Sequence, residues 1–127
     1  MATFSANLGF LWNDRPLPDA IRAASAAGFD AVECHWPYDT PIDETKAALA
    51  ETGMVMLGLN TRKGGDGEFG LAAVPGRAVE ARLAIDEAVR YAASVGAQAV
   101  HVMAGVTPPL PVAFLTFLGN LRYACKQ

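Results

Sequence analysis

The stretch Ala47-Ala48-Leu49-Ala50-Glu51-Thr52-Gly53 runs directly into Met54-Val55-Met56-Leu57-Gly58-Leu59-Asn60. An alanine-rich helical segment thus ends at a glycine, which supplies the left-handed conformation that closes many helices. A nearly continuous apolar run of strand length follows. The same pattern recurs over Ala23–Cys34 and over Ala92–Met103. Apolar strands that follow helices in this way are typical of a parallel sheet covered by helices.

Outside these units, Thr3–Phe10 predicts a first strand. Thr40, followed by Pro41, predicts the N-cap of the second helix. A fourth helix is predicted after Pro111, with one apolar face formed by Phe114, Phe117, Leu118, Leu121 and Cys125. The order β-α-β-α-β-α-β-α predicts an α/β fold with a parallel sheet, either open and doubly wound or barrel-like. No Gly-x-Gly-x-x-Gly follows the first strand, which counts against a dinucleotide-binding fold.

Polar side chains recur toward the ends of the predicted strands. Because side chains alternate across a strand, each strand has one apolar face and one face that carries polar groups. In strand three this alternation places Met56, Gly58 and Asn60 on the polar face. Helices on one sheet face only are typical of a barrel, whose sites lie at the carboxyl ends of its strands. The candidate substrate-pocket residues are Asn7, Glu33, His35, Asn60, Arg62, Lys63 and His101.

Composition limits the function classes. The 127 residues carry 13 Asp+Glu against 10 Lys+Arg, with 52% hydrophobic residues, which predicts one globular domain over 1–127. Neither a basic face for nucleic acid nor a polybasic run for a membrane surface is present. The uncharged stretch Tyr91–Leu121 is interrupted by prolines and predicts a strand, a turn and a helix. The absence of a signal-peptide pattern and the two cysteines predict a reduced, cytoplasmic protein.

Several stretches resemble the hydroxypyruvate isomerase family of xylose-isomerase-like TIM barrels, close to the 2-oxo-tetronate isomerases. The resemblance covers nearly the whole chain and is poorest over Thr107–Val112. It is carried by Phe4-Ser5-Ala6-Asn7-Leu8, Ala27-Gly28-Phe29-Asp30-Ala31-Val32-Glu33, Gly67-Glu68-Phe69-Gly70-Leu71, Val74-Pro75-Gly76-Arg77 and Val100-His101-Val102-Met103-Ala104-Gly105.

The resemblance implies a parallel (β/α)4 half of a (β/α)8 barrel, truncated in the fourth helix. It implies an isomerase that interconverts hydroxypyruvate and tartronate semialdehyde through an enediolate, or a 2-oxo-tetronate or other sugar isomerase or epimerase. In the full-length family it implies a divalent metal, Mg²⁺ or Mn²⁺. Its catalytic glutamates and metal ligands lie on strands five to eight, so we expect no catalytic residue and no cofactor in these 127 residues. The chain alone is therefore expected to be inactive.

The candidate residues keep alternative interpretations. Glu33 and His35 suit either a metal or acid–base role or an interior hydrogen-bond network. Asn7 and Asn60 suit hydrogen bonds either to a substrate oxygen or to a backbone group at a strand end. His101 suits a substrate contact or the same kind of network.

The segment Arg62–Gly67 suits a lid that meets a carboxylate or a plain flexible loop. Trp12, Trp36 and Tyr38 suit packing between loops better than a pocket wall. Cys34 and Cys125 are interpreted as core residues.

Two further interpretations concern the chain as a whole. Open edges on strands one and four would make a half-barrel a self-associating, non-catalytic module, which predicts a homo-oligomer. The other interpretation is that the chain is a truncated gene product. If the chain belongs to the family that it resembles, we expect it to bind a small 2-oxo acid and to bind neither nucleic acid nor a membrane.

Overall fold

The computed structural model describes residues 1–127, in which strands and helices alternate. The predicted element order is confirmed, although the first strand is shorter than the predicted Thr3–Phe10 because the chain turns at Asn7. The elements are β1 (Ser5–Asn7), α1 (Leu17–Ala26), β2 (Ala31–Glu33), α2 (Ile42–Thr52), β3 (Val55–Asn60), α3 (Ala78–Val95), β4 (Ala99–His101) and α4 (Pro111–Ala124). None of the helices combines the length and the apolar character that crossing a membrane requires.

The four strands form one sheet in the order β1-β2-β3-β4. β1 pairs with β2 in parallel, with Asn7 opposite Glu33, and β2 pairs with β3 in parallel. Each strand lies beside the next one in the chain, as in a barrel wall. A doubly wound sheet instead reverses its strand order at a switch point. The sheet order therefore favours the barrel-like alternative.

A β-bulge interrupts the pairing of β2 with β3. Val32 lies opposite Met56, whereas the next residue, Glu33, lies opposite Gly58. Because one extra residue of β3 is inserted here, Met56 turns to the buried face and is only 1% exposed. The prediction that Met56 shares the polar face with Gly58 and Asn60 is therefore wrong. Beyond the bulge, Gly58 and Asn60 follow the face of Glu33, as expected.

The helix ends follow the sequence signals in part. Gly28, Gly53 and Gly96 all have positive φ, between 68° and 88°, which confirms the predicted glycine caps. The predicted Thr40 cap is wrong, because α2 begins at Ile42 after an extended Pro41 and has no side-chain cap. The Thr40 carbonyl instead accepts a hydrogen bond from the hydroxyl group of Tyr91 at 3.0 Å.

Two compact units make up the chain, and the first comprises residues 1–59 with 91–100. Its core includes Ile21, Val32 and Met56, all at most 1% exposed. Within this core the Tyr91 hydroxyl also lies 2.7 Å from that of the fully buried Thr45. Since Tyr91 donates its proton to the Thr40 carbonyl, Thr45 is the donor in the second bond.

The second unit comprises residues 60–90 with 101–127. Here α4 is attached to α3 by polar contacts, including a Tyr123 hydroxyl that donates to Asp86 at 2.8 Å. The buried residues of α4 are Ala113 and Asn120, and the Asn120 amide donates to the Ala72 carbonyl at 2.8 Å.

The prediction that α4 buries one apolar face is wrong. Phe114 is 67% exposed, whereas Phe117, Leu118 and Leu121 are half-buried. Cys125 lies just beyond the end of the helix and is exposed, so its interpretation as a core residue is also wrong. The face that packs carries Asn120 because its amide satisfies a backbone carbonyl there.

Candidate functional site

In the first unit, two of the candidate residues are neighbours across the sheet. Asn7 and Glu33 are partners in the β1–β2 register, so their side chains emerge on the same sheet face at the strand ends. The Asn7 side-chain oxygen accepts the Gly9 N–H at 2.9 Å. Asn7 therefore closes the turn after β1, which is the backbone role that its sequence position allowed. Glu33 lies half-buried beside it.

A cavity of about 330 Å³ opens beyond β1 and β2 in the same unit. His35 forms part of its wall and packs edge-to-face against Phe10 at 5.0 Å and against Trp36 at 5.3 Å between ring centroids. Gly9 leaves room for this ring, since a Cβ atom at that position would overlap the imidazole. The cavity is lined by Leu8, Gly9, Trp12, Asn13, Arg15, Leu17, Ala20, Cys34, His35, Trp36, Pro37 and Thr40.

The aromatic residues beyond β1 and β2 divide into two groups. Trp12 and Trp36 line the cavity and also pack edge-to-face, Trp12 against Phe29 and Trp36 against His35, so both interpretations of the sequence describe them. Tyr38 does pack, edge-to-face against Tyr91 at 5.8 Å. Sequence reasoning missed Asn13 and Arg15 as cavity residues. Their place in the loop directly after a strand was the available signal, because βα loops carry barrel sites.

Cys34 forms part of the same wall but is 5% exposed. Burial, with a smaller contribution from the neighbouring Glu33 carboxylate, raises the pKa of the Cys34 thiol to about 12. The thiol is therefore protonated at neutral pH, and nucleophilic chemistry needs the thiolate. This confirms Cys34 as a small core residue.

In the second unit, Asn60 and His101 come together at the ends of β3 and β4. The His101 Nδ1 atom lies 3.2 Å from the Asn60 side-chain oxygen, and the His101 side chain is exposed. A carboxamide oxygen only accepts, so Nδ1 carries a proton in this contact, and in the neutral form of the ring the lone pair lies on Nε2. The pair thus presents an acceptor nitrogen, in a fixed ring orientation, at the carboxyl end of the sheet.

The two cations after β3 have different surroundings. Arg62 donates to both carboxylate oxygens of Glu87 on α3, at 2.8 and 3.1 Å. Its guanidinium therefore binds a protein carboxylate in this structure. Lys63 is exposed, and its backbone carbonyl accepts the Gly70 N–H at 2.7 Å.

Mg²⁺ is a hard cation that binds through one or two carboxylates and keeps several of its waters. Nowhere in residues 1–127 do three His, Cys, Asp or Glu side chains come together in a way that would hold a metal ion. Residues 1–127 thus hold no such cluster, and the resemblance places the metal ligands of the family on strands five to eight.

A family model described as the xylose isomerase-like TIM barrel matches residues 21–127. The chain belongs to this family. It is 40% identical to a 2-oxo-tetronate isomerase of Haemophilus influenzae, with 100% of this chain and 51% of that protein covered. It is 35% identical to the hydroxypyruvate isomerase of Escherichia coli, over 100% of this chain and 51% of that protein.

A solved structure, titled as an AP endonuclease of family 2 from Brucella melitensis, is also similar. It matches with a TM-score of 0.91 and 35% identity, over 99% of this chain and 50% of that one. The chain thus spans about half the length of the curated relatives it matches. The four-stranded parallel sheet and its helices correspond to half of the (β/α)8 barrel of this family.

Proposed function

We propose that this chain supplies substrate-positioning residues for an isomerase that acts on a small 2-oxo acid. The proposed reaction is the conversion of hydroxypyruvate to tartronate semialdehyde, with 2-oxo-tetronate or another sugar acid as the alternative substrate. The observation that carries the proposal is the hydrogen-bonded Asn60–His101 pair at the carboxyl end of the sheet. Relatives named for such isomerases, at 35% to 45% identity, support the substrate class.

The chemistry of the reaction fits an acceptor held at this place. A proton leaves C3 of hydroxypyruvate and returns to C2, while a hydroxyl proton passes from O3 to O2 by way of an enediolate. The Nε2 lone pair of His101 accepts a hydrogen bond from the substrate hydroxyl, and Asn60 keeps the ring oriented for that contact. No carboxylate of this chain is assigned as the carbon base, because the resemblance places those glutamates on strands five to eight.

The test follows hydroxypyruvate by NMR with the 127-residue chain, with and without Mg²⁺. We expect binding that shifts the His101 ring resonances, and no consumption of hydroxypyruvate. Loss of one hydrogen bond in His101→Gln should weaken binding roughly three- to tenfold. The exposed Gln98→Ala, close by in sequence, is the matched control and should leave the affinity unchanged.

Two results would count against this proposal. A wild-type chain that binds neither hydroxypyruvate nor 2-oxo-tetronate would remove the substrate class. Turnover stimulated by Mg²⁺ would show that the chain alone supplies the carbon acid–base chemistry, contrary to the positioning role.

Self-association is a second candidate function, favoured by the exposed apolar residues around the start of α4. Leu110, Val112, Phe114 and Leu115 are each at least 50% exposed. Contiguous apolar surface of this kind marks interaction sites. No charged residue lies between Tyr91 and Leu121, so the apolar surface at the start of α4 would meet that of a second copy across a two-fold axis without like-charge repulsion.

Light scattering tests this second candidate. A dimer that dissociates in Phe114→Glu and persists in the matched exposed variant Arg122→Glu would support it. A folded wild-type monomer at all concentrations would refute it.

A further inference from the structure

The segment Gly67–Arg77, which carries part of the family resemblance, contributes none of the residues assigned above. Its second half is fixed to the loop after β4. The Gly70–Ala104 pair forms an antiparallel bridge, and Ala73 N–H donates to the Ala104 carbonyl at 2.7 Å. A Cβ atom at Gly70, whose φ is +106°, would overlap the backbone of Met103. This glycine is therefore required by close backbone approach.

The first half of the segment is the end of the loop that follows β3. Glu68 closes the tip of this loop. The Glu68 carboxylate accepts the Gly65 N–H at 2.6 Å, and the Glu68 N–H donates to the Gly65 carbonyl at 3.1 Å. We call Gly64–Glu68 the loop tip. Three of its five residues are glycines, which have the largest backbone freedom to lose on ordering.

Arg77 connects the loop tip to the start of α3. Its guanidinium donates to Glu68 at 2.7 Å and to Glu80 at 2.6 and 2.7 Å. Arg77 and Glu68 are each about one-third exposed, at 33% and 31% of their side-chain surface. The planar fork of arginine suits two carboxylates at once, and lysine has no equivalent geometry. The hydrogen bonds from Arg77, and then that from Gly65, lower the pKa of Glu68, so the carboxylate is ionised at neutral pH.

We propose that Arg77 is a positioning residue: by holding Glu68 against α3, it orders the loop tip and so sets the affinity of the chain for its 2-oxo acid. This inference rests on the proposed function. The loop begins where β3 ends at Asn60, and loops in this place cover barrel sites. A glycine-rich tip that is ordered before binding loses less conformational entropy when substrate arrives, and pre-organisation of this kind raises affinity.

The test compares Glu68→Gln with Glu80→Gln, which change the two carboxylates that accept hydrogen bonds from the Arg77 guanidinium. Glu68→Gln removes the carboxylate that belongs to the loop tip, whereas Glu80→Gln removes the one that belongs to α3 and is the matched control. The measurements are the ¹⁵N relaxation of the Gly64, Gly65 and Gly67 amides and the Kd for hydroxypyruvate by NMR titration. Arg77→Lys tests whether charge without the fork is enough.

In Glu68→Gln we expect loosened loop-tip amides and a Kd raised roughly three- to fivefold, since partly exposed ion pairs contribute modestly. Glu80→Gln should leave the loop tip ordered and the Kd close to that of the wild type. Arg77→Lys should resemble Glu68→Gln.

Three outcomes would overturn the inference. Loop-tip amides that stay ordered in Glu68→Gln would show that Arg77 does not order the tip. Amides that loosen with an unchanged Kd would show that the order has no bearing on substrate, while the proposed function stands. A wild-type chain that binds neither hydroxypyruvate nor 2-oxo-tetronate would refute the proposed function, and this inference with it.

Discussion

Replacement of Gly9 by alanine should displace the His35 ring and destabilise the chain. The backbone at Gly9 is outside the left-handed region, so alanine meets no backbone strain there. The added Cβ atom, however, would overlap the imidazole of His35, which is held between Phe10 and Trp36. The experiment therefore isolates a steric effect on a cavity residue.

The expected magnitude is the difference of two terms. Forcing one extra methyl group into a packed site costs about 1–3 kcal/mol. Loss of glycine's freedom in the unfolded chain offsets about 0.4–1 kcal/mol of that cost. Because the added Cβ atom overlaps three ring atoms of His35, the steric cost should lie in the upper half of its range. The net destabilisation should then be about 1–2.6 kcal/mol, which lowers the urea midpoint by roughly 0.5–1.3 M for a small domain.

A second glycine provides the matched control. Gly119 lies inside α4, and a Cβ atom at this position would meet no neighbouring atom. Gly119→Ala should therefore stabilise the chain by about 0.5–1 kcal/mol, as is usual within helices. Urea unfolding followed by circular dichroism gives both changes, and the His35 ring resonances report the displacement. A Gly9→Ala variant as stable as the wild type, or with unmoved His35 resonances, would refute the steric argument.

Four further predictions concern side chains of the two units. Tyr91→Phe removes the acceptor of the buried Thr45 hydroxyl and should cost about 1–3 kcal/mol in the free energy of unfolding, and an unchanged urea midpoint would contradict this. Asn120→Ala leaves a buried backbone carbonyl without its amide donor and should cost a similar amount, about 1–3 kcal/mol, in the same assay. Iodoacetamide at pH 8 should modify the exposed Cys125 and spare Cys34, as mass spectrometry of peptides would show. Because burial raises the pKa of Cys34 to about 12, its stabilising contribution is complete below the ordinary thiol pKa and is lost as the pH rises toward 12. Cys34→Ala should therefore flatten this part of the alkaline decline in stability.

The element order could be predicted because its signals are local. Glycine caps and apolar runs of strand length depend on a few adjacent residues, and Gly53 with β3 shows both. The bulge that buries Met56 could not be predicted in this way. It arises from the pairing of β2 with β3, and an alternation rule applied to one strand carries no information about its neighbour.

The candidate site shows the same division. That Asn60 and His101 lie at strand ends follows from the position of each residue in its own strand. The partner of a long charged side chain does not follow from its position in the sequence. One of the two interpretations of the Arg62–Gly67 segment places Arg62 against a substrate carboxylate, but its guanidinium reaches Glu87, which is 25 residues further along the chain. Sequence spacing predicts where such a side chain begins and leaves its end point to the tertiary structure.

The residues most characteristic of the family need not be those nearest the chemistry. In the segment Gly67–Arg77, Gly70 permits a backbone approach, Glu68 closes a loop tip, and Arg77 holds that tip to a helix. Each of these tasks tolerates few substitutions, because each depends on a missing Cβ atom or on the shape of one guanidinium. His101 also lies in a stretch that carries the resemblance, but its task differs, since with Asn60 it presents an acceptor in a fixed orientation. A stretch that carries the resemblance can therefore build the scaffold of a loop, as Gly67–Arg77 does, or supply a group of the candidate site, as His101 does, and only the tertiary contacts of each residue distinguish the two.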